Sequence, residues 1–334
     1  MKVLIDHQQP FLLSHGGFQV QIEQTQAALR EVGIDAEYLR WWDDRQKADI
    51  IHYFGRPSIP YVTLAQAKGI RIVMAELLTG LGSRSPRVLP FQKAAIGFAQ
   101  ATLPGIATGR FAWDAYRKVD ALIAGTSWEA HLMSYIFGAP KSKVHVVLNG
   151  VEEVFRQSPA TQRGQWLVCT ATIAPRKRVL ELAQAAVSAN TPIWIIGKPY
   201  TDSDPYAQQF FALARQHPKI IRYEGSISDR AQLARIYREA RGFVLLSTME
   251  SLSLSSGEAA ACQCPLLLSD LPWARTTYQE HATYCPITSI SRTAACLRQF
   301  YDAAPDLKIP PKPPSWIEIG QQFKGIYGQI LNGR

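Results

Sequence analysis

The stretch Thr248-Met249-Glu250-Ser251-Leu252-Ser253-Leu254-Ser255-Ser256-Gly257-Glu258-Ala259-Ala260-Ala261 decides how the rest of the sequence is interpreted. It follows the apolar run 242–246, which is typical of a buried parallel strand. It leads into good helix formers at 258–262. A turn from strand to helix lies at the carboxyl edge of a parallel sheet, where open α/β folds bind their ligands.

The chemistry of this turn suits a ligand that carries both phosphate and hydroxyl groups. Amides at the start of a helix attract anions, and phosphate above all. The carboxylates of Glu250 and Glu258 can accept hydrogen bonds from hydroxyls. A nucleotide sugar has both groups. The alternative is purely structural: Ser255 and Glu258 fit a capping box with Ser255 as the N-cap, and Glu250 is then an exposed loop residue.

Length, composition and charge narrow the class of protein. A chain of 334 residues with 47% apolar residues suits two α/β domains of roughly 150 residues each. The net charge of +9 is spread over both halves, and no run of Lys and Arg resembles a nucleic-acid arm. We therefore expect no nucleic-acid partner. A phosphorylated substrate or an anionic membrane face explains the positive balance better.

The cysteines and the apolar runs indicate where the protein works. The five cysteines lie mostly in apolar surroundings, and 262–264 lacks the spacing of a zinc or redox pair, so we expect reduced thiols in a cytoplasmic protein. The first residues predict a strand rather than a signal peptide. The longest uncharged span, 94–109, is too short and broken to cross a bilayer. The sequence predicts no transmembrane span but allows peripheral attachment at the inner membrane face.

Apolar strands alternate with helical segments through both halves of the sequence, which predicts two doubly wound sheets. The polar segment 151–164 separates the halves, and the Pro-rich segment 309–314 precedes a final helix at 316–331. We place the first domain at 1–160, with 316–334 packing back on it, and the second at 161–315.

The first half holds several weaker candidates. Gly16 and Gly17 follow the first strand and permit close approach of a ligand, although the dinucleotide spacing is absent and an ordinary tight turn is the alternative. His52 lies in a predicted strand, and Glu76 ends another. Residues 80–118 interleave aromatic residues with bases, including Arg84 and Arg87. This pattern suits an acceptor-binding or membrane-surface segment, but also a solvated helix pair.

Together these pieces resemble a retaining glycosyltransferase of the GT-B kind, similar to glycosyltransferase family 4. The resemblance rests on motifs in the order that the family has them: Gly16-Gly17, Asn149-Gly150-Val151, the base-bearing loop 171–177, the spaced pair Glu250 and Glu258, and Ser269-Asp270-Leu271-Pro272-Trp273. It implies two Rossmann-like domains that face each other across a cleft, with the last helix packing back on the first domain.

The resemblance also implies roles for individual residues. Glu258 holds the ribose, Glu250 touches the donor sugar, Lys177 holds the pyrophosphate, and Gly17 lies close to the donor phosphate. Further donor contacts are expected at Gly16, Thr172, Arg176, Ser253, Leu254 and Ser255. On the acceptor side we expect His52, Arg84 and Arg87, and the catalytic candidates are Glu250, Lys177 and Glu76.

Two departures from the family pattern keep other functions open. Thr172 stands where the family has an Arg, and Glu76 stands where it often has a His. Arg176 or Arg178 is a candidate to supply the missing charge. The alternatives are a nucleotide-sugar epimerase, a sugar phosphorylase, or a catalytically silent sugar-nucleotide-binding or partner subunit. Fold alone does not separate them.

The resemblance implies transfer of a sugar from a UDP- or GDP-linked donor to an acceptor hydroxyl with retention, without a metal or another cofactor. The pair Asp202 and Asp204 imitates a metal site, but its polar loop predicts a solvated turn instead. The basic and aromatic segment 80–118 favours a lipid-linked or membrane-proximal acceptor.

Overall fold

A computed structural model of the chain describes residues 1–13, 16–103, 109–157 and 162–333. It forms two compact units. The first comprises Met1–Gly150 and Pro314–Arg334, and the second comprises Val151–Pro313. The units thus divide after Gly150, at the start of the polar segment in which the sequence analysis placed its boundary. Residues 14 and 15, directly before the glycine pair, lie outside the described residues.

The first unit contains a six-stranded parallel sheet with the order β2-β1-β3-β4-β5-β6. Its strands are β1 (Lys2–His7), β2 (Asp35–Tyr38), β3 (Ile50–Phe54), β4 (Arg71–Ala75), β5 (Ala121–Ala124) and β6 (Val144–Val146). Its helices are α1 (Gly17–Glu31), α2 (Ile59–Ala67), α3 (Thr79–Gly82), α4 (Leu89–Thr102), α5 (Ala115–Lys118), α6 (Ser127–Phe137) and, after the second unit, the C-terminal helix Trp316–Leu331.

The second unit contains another six-stranded parallel sheet, with the order β12-β11-β10-β7-β8-β9. Its strands are β7 (Leu167–Thr170), β8 (Ile193–Ile196), β9 (Ile221–Tyr223), β10 (Gly242–Leu245), β11 (Leu266–Ser269) and β12 (Thr283–Cys285). Its helices are α7 (Glu153–Arg156), α8 (Val179–Ser188), α9 (Pro205–Gln216), α10 (Arg230–Glu239), α11 (Leu254–Ala261), α12 (Pro272–Tyr278) and α13 (Ile290–Ala303), and the C-terminal helix is therefore α14.

The strand orders confirm the prediction of two doubly wound α/β sheets. All residues of β3 and of β10 are buried, as expected of apolar strands covered on both faces. In each sheet the order reverses once along the chain, between β1 and β3 in the first and between β7 and β10 in the second. Open α/β sheets bind ligands outside the carboxyl ends of the strands at such a reversal.

Two edge strands, β2 and β12, escaped the sequence analysis. β2 consists of Asp35-Ala36-Glu37-Tyr38, in which only Ala36 is buried. β12 has only Cys285 buried. Each strand pairs with one neighbour and leaves its other edge unpaired in the sheet. A short strand that buries one residue carries too little apolar pattern to be recognised.

The C-terminal helix α14 belongs to the first unit, where it packs against α1. A side chain at Gly320 would place its Cβ 2.6 Å from the carbonyl oxygen of Ala28, so the absence of a side chain lets the two helices meet. Lys324 Nζ donates to the carbonyl oxygen of Val32 at 2.8 Å. Tyr327 and His52 of β3 are both fully buried, and Tyr327 Oη lies 2.6 Å from His52 Nδ1.

Candidate functional site

The order reversal of the second sheet brings together two loops that lie far apart in sequence. One loop follows β7 and ends in the short turn Pro175–Lys177, and the other follows β10. The carbonyl oxygen of Arg176 joins them, because it accepts from Thr248 N at 2.8 Å and from Thr248 Oγ1 and Ser247 Oγ at 3.1 Å each. Ser247 is fully buried, which fixes this junction.

Two basic side chains from the first loop meet at one carboxylate of the second. Lys177 Nζ donates to Glu250 Oε1, and Arg176 Nη1 lies 3.8 Å from the same oxygen. Glu250 is only 7% exposed, whereas the Arg176 side chain is 40% exposed. The sequence analysis placed Lys177, Arg176 and Glu250 in one site, and the structure brings all three together. Arg178, the other candidate for the missing charge, pairs with Glu181, with Arg178 Nη1 3.9 Å from Glu181 Oε1.

Helix α11 starts beside this cluster, four residues earlier than the sequence analysis placed it. Its N-cap is Ser253, whose Oγ accepts from Ser256 N at 3.3 Å. The alternative capping box with Ser255 as N-cap is therefore wrong, since Ser255 and Glu258 both lie inside the helix. The first-turn amides of Leu254 and Ser255 have no acceptor within the helix, and they directly follow the loop that carries Glu250.

Glu258 lies deeper on α11 and is bound by two side chains of α10. Arg230 Nη2 donates to its Oε1, and Tyr237 Oη donates to its Oε2 at 3.5 Å. Burial raises the pKa of Glu258, and the guanidinium of Arg230 opposes this rise. Arg230 also donates through Nε to Glu152 Oε2 at 2.8 Å. Its guanidinium carbon lies 4.6 Å from the centre of the Phe155 ring.

The remaining donor-side candidates lie at the starts of helices or loops. Thr172 is half-buried in the loop after β7. In the first unit Gly16 is the N-cap of α1, with φ of 134°, and Gly17 is its first residue. This conformation favours glycine. The helix begins at Gly17, so its amino end lies at the glycine pair, near the order reversal between β1 and β3.

The acceptor-side candidates do not share one site. His52 is inaccessible and bonds Tyr327, so in this structure it cannot touch an acceptor. Glu76 follows β4 and is held by Arg56, which donates to both carboxylate oxygens at 2.8 and 2.9 Å, and by Tyr116 Oη at 2.6 Å. Arg84 and Arg87 are exposed in the segment before α4.

Several residues with clear roles escaped the sequence analysis. They are Asp6, Arg56, Tyr116, Glu152, Arg230 and Tyr237. Asp6 is the penultimate residue of β1, is 4% exposed and accepts from Tyr61 Oη at 2.7 Å. A carboxylate at the carboxyl end of a first strand is a signal that the sequence does offer. Arg56, Glu152 and Arg230 belong to no motif recognised in the sequence, and only the fold reveals their partners.

The metal-like pair also has a structural explanation. Asp204 is the N-cap of α9 and accepts from Tyr206 N at 2.8 Å. Within the described residues, no group of three or more His, Cys, Asp or Glu side chains is placed to hold a metal ion. Among the described helices, none is both long and apolar enough to cross a bilayer.

Comparison with known proteins defines the class of fold. Over its whole length the chain superposes on a sucrose-phosphate synthase from Thermosynechococcus elongatus, with a TM-score of 0.70 and 15% identity, covering 100% of both chains. It also superposes on Anabaena Alr3699/HepE in complex with UDP and glucose, with a TM-score of 0.66 and 12% identity over 98% of this chain and 99% of that one. A glycosyltransferase from Rickettsia africae ESF-5 gives a TM-score of 0.66 and 11% identity, covering 100% of this chain and 99% of that one. The fold is that of the GT-B glycosyltransferases, as the sequence resemblance predicted.

The sequence gives an independent match. Residues 164–302 match the family described as glycosyl transferases group 1. This segment lies within the second unit and includes Lys177, Arg176, Thr172 and the whole stretch from Glu250 to Glu258. No curated protein matches the sequence of the chain.

Proposed function

We propose that the protein transfers a sugar from a nucleoside diphosphate sugar to an acceptor hydroxyl, with retention of the anomeric configuration and without a metal. The observation that carries this proposal is the cluster of Lys177, Arg176 and Glu250 at the order reversal of the second sheet, beside the start of α11. The family match of the same segment and the fold support it.

In this proposal, the cluster and the neighbouring residues of α11 each contact a different part of the donor. Positive charge from Lys177 and the first-turn amides of α11 suit the diphosphate, because anions bind at helix starts. Glu250 accepts from a hydroxyl of the sugar, and Glu258 accepts from the ribose. The HepE complexes contain UDP or UDP-glucose. We therefore propose a UDP-linked sugar as the donor, with a GDP-linked sugar as the alternative.

The transfer step needs stabilisation of the leaving group more than a protein nucleophile. As the bond between the anomeric carbon and the donor oxygen breaks, negative charge grows on the diphosphate. Lys177 and Arg176 stabilise this charge more in the transition state than in the bound donor. A donor phosphate oxygen takes the acceptor proton on the face from which the diphosphate leaves, so the acceptor bonds on that face and the configuration is retained.

A nucleotide-sugar panel tests this function directly. Wild-type protein is incubated with UDP- and GDP-sugars, with and without acceptors and with a chelator, and free nucleoside diphosphate is measured. Glu258→Gln should abolish its release while the protein stays folded. Glu224→Gln, a control at an exposed carboxylate paired with Arg222, should leave it unchanged. Full turnover in Glu258→Gln, or complete loss on chelation, would contradict the proposal.

The same panel separates the alternatives. A phosphorylase would require inorganic phosphate and release no nucleotide. An epimerase would interconvert two nucleotide sugars without an acceptor. A silent subunit would bind UDP or GDP, raising the melting temperature, yet turn over neither. The departures from the family pattern at Thr172 and Glu76 are the reason for considering a catalytically silent subunit.

The acceptor side of the proposal rests on the first unit. We propose a lipid-linked or membrane-proximal acceptor, because α4 exposes apolar residues next to basic ones. Phe91 and Phe98 are 78% and 72% exposed and lie two turns apart on one face. Arg84 and Arg87 precede the helix. Such a face suits the boundary of an anionic bilayer, where apolar side chains insert and bases meet the headgroups.

A further inference from the structure

The contacts of Glu258 assign a role to a residue outside the proposed transfer chemistry. Arg230 is the first residue of α10, and its guanidinium lies between the carboxylates of Glu152 and Glu258. The Phe155 ring packs against the guanidinium carbon of Arg230. These partners come from two separate segments of the second unit, the start of α7 and α11, so the position of Arg230 is fixed by the fold.

We propose that Arg230, anchored by Glu152, is a positioning residue that holds the carboxylate of Glu258 ionised and oriented to accept two hydrogen bonds from vicinal hydroxyls of the donor ribose. This inference rests on the proposed function, since it needs a nucleotide donor. It extends that function by naming the residue pair that makes nucleotide binding selective for ribose.

The carboxylate of Glu258 keeps acceptor capacity for the ribose. Arg230 uses one lone pair of Oε1, and Tyr237 Oη approaches Oε2 at 3.5 Å. An ionised carboxylate offers about four lone-pair directions, so each oxygen keeps one for a hydroxyl. A protonated carboxyl would instead have to donate from one oxygen, and it could not accept equally from two neighbouring hydroxyls. The ionised form is therefore the one that binds a vicinal diol.

The surroundings would otherwise favour the protonated form. Glu258 is 7% exposed, and burial raises its pKa. The groups that face it are Arg230 and Tyr237 of α10 and Glu152 before α7, and Cys262 follows on its own helix. Of these groups only Arg230 is positively charged. Glu152 would raise the pKa of Glu258 further if Arg230 were lost, because two carboxylates would then face each other without a cation.

Calorimetric titration of the full chain with UDP and GDP, repeated with the 2′-deoxy nucleotides, tests the role of Arg230. In wild type we expect the ratio of the two affinities, in which the titration of the shared diphosphate cancels, to be flat between about pH 6 and pH 8 and to favour the ribonucleotide. Arg230→Gln should lose about tenfold of this preference near pH 6 and recover it toward pH 8. Arg230→Lys, which keeps the charge, should restore the flat profile. The melting temperature of each variant checks folding.

The outcomes separate this inference from the proposed function. If wild type binds neither UDP nor GDP, the proposed function fails. If wild type binds a ribonucleotide and Arg230→Gln binds it equally well at every pH, the role of Arg230 is wrong while the function stands. A loss in Arg230→Gln by one constant factor at every pH, with ribose selectivity kept, also overturns it. If Arg230→Gln does not fold, a sloping pH profile in Arg230→Lys overturns the inference.

Discussion

At the scale of single residues, each carboxylate of the candidate site is paired with at least one base, whether the carboxylate is buried, as in Glu250 and Glu258, or half-buried, as in Glu76. Glu250 forms ion pairs with Lys177 and Arg176. Glu258 pairs with Arg230, and Glu76 pairs with Arg56. A buried carboxylate without a cation is costly, so each cation also protects the fold. Mutations at these sites therefore need a readout that separates chemistry from stability.

Lys177 offers such a separation. We expect Lys177→Met to lower kcat roughly a hundredfold or more, because a charge that acts on the leaving diphosphate is lost from the transition state. Donor KM should rise much less, since Arg176 stays near Glu250. Steady-state kinetics with a nucleotide-sugar donor measure both. Lys198→Met, at a base outside the cluster, is the control, and an unchanged kcat in Lys177→Met would exclude the proposed role.

His52 gives a prediction about pH and stability. Burial lowers the pKa of His52 from 6.5 to about 3, so the folded protein keeps this ring neutral while the unfolded chain binds a proton. The stability that depends on neutral His52 is complete above pH 6.5 and decreases as the pH falls toward 3. Between pH 7 and pH 5 this amounts to about 2 kcal/mol.

The double variant His52→Phe with Tyr327→Phe measures this contribution. It removes both polar partners from a site walled by Phe54 and Phe323, so no buried polar atom loses its partner. The free energy of unfolding should then fall less between pH 7 and pH 5 than in wild type, by about 2 kcal/mol. Equal losses in both proteins would show that His52 is protonated in the folded state.

At the scale of elements, the sequence predicted what repeats and missed what depends on tertiary partners. Alternating apolar runs predicted both sheets, because covered parallel strands must be apolar. The start of α11 was predicted at 258, with Ser255 as the N-cap in the alternative interpretation, whereas Ser253 is the N-cap, because several serines in the segment 251–256 can each cap a helix. The pairing of Arg230 with Glu152 and Glu258 joins residues 78 and 28 positions apart. No local pattern marks it.

The packing of α1 against α14 gives a prediction for two elements together. Gly320→Ala would place a methyl group 2.6 Å from the Ala28 carbonyl oxygen, and the helices must separate to admit it. We expect a loss of about 1–3 kcal/mol in the free energy of unfolding. Gly325→Ala, on an exposed position of the same helix with nothing near the new Cβ, should instead raise stability by up to about 1 kcal/mol. Denaturant unfolding compares the two variants, and equal effects would contradict this account of the packing.

At the scale of the whole molecule, the net charge of +9 and the exposed face of α4 support the proposal that the protein binds a membrane surface. Phe91 and Phe98 expose their apolar area to water, since α4 buries only Leu89. A bilayer boundary would bury this area, because it takes up apolar side chains while its anionic lipids attract Arg84 and Arg87. The charge term should weaken as salt shortens the screening length.

Sedimentation with liposomes tests this surface. Wild-type protein should bind vesicles that contain anionic lipid at low salt, and bind neutral vesicles much less. Phe91→Ser with Phe98→Ser should abolish sedimentation, because the inserted apolar area is lost. Leu64→Ser, at a residue that is 65% exposed on α2, is the matched control and should sediment like wild type. Nucleotide binding should be unchanged in all three proteins, since none of the residues proposed to contact the donor is substituted. Failure of wild type to sediment at low salt would remove the membrane from the proposal and leave a soluble acceptor.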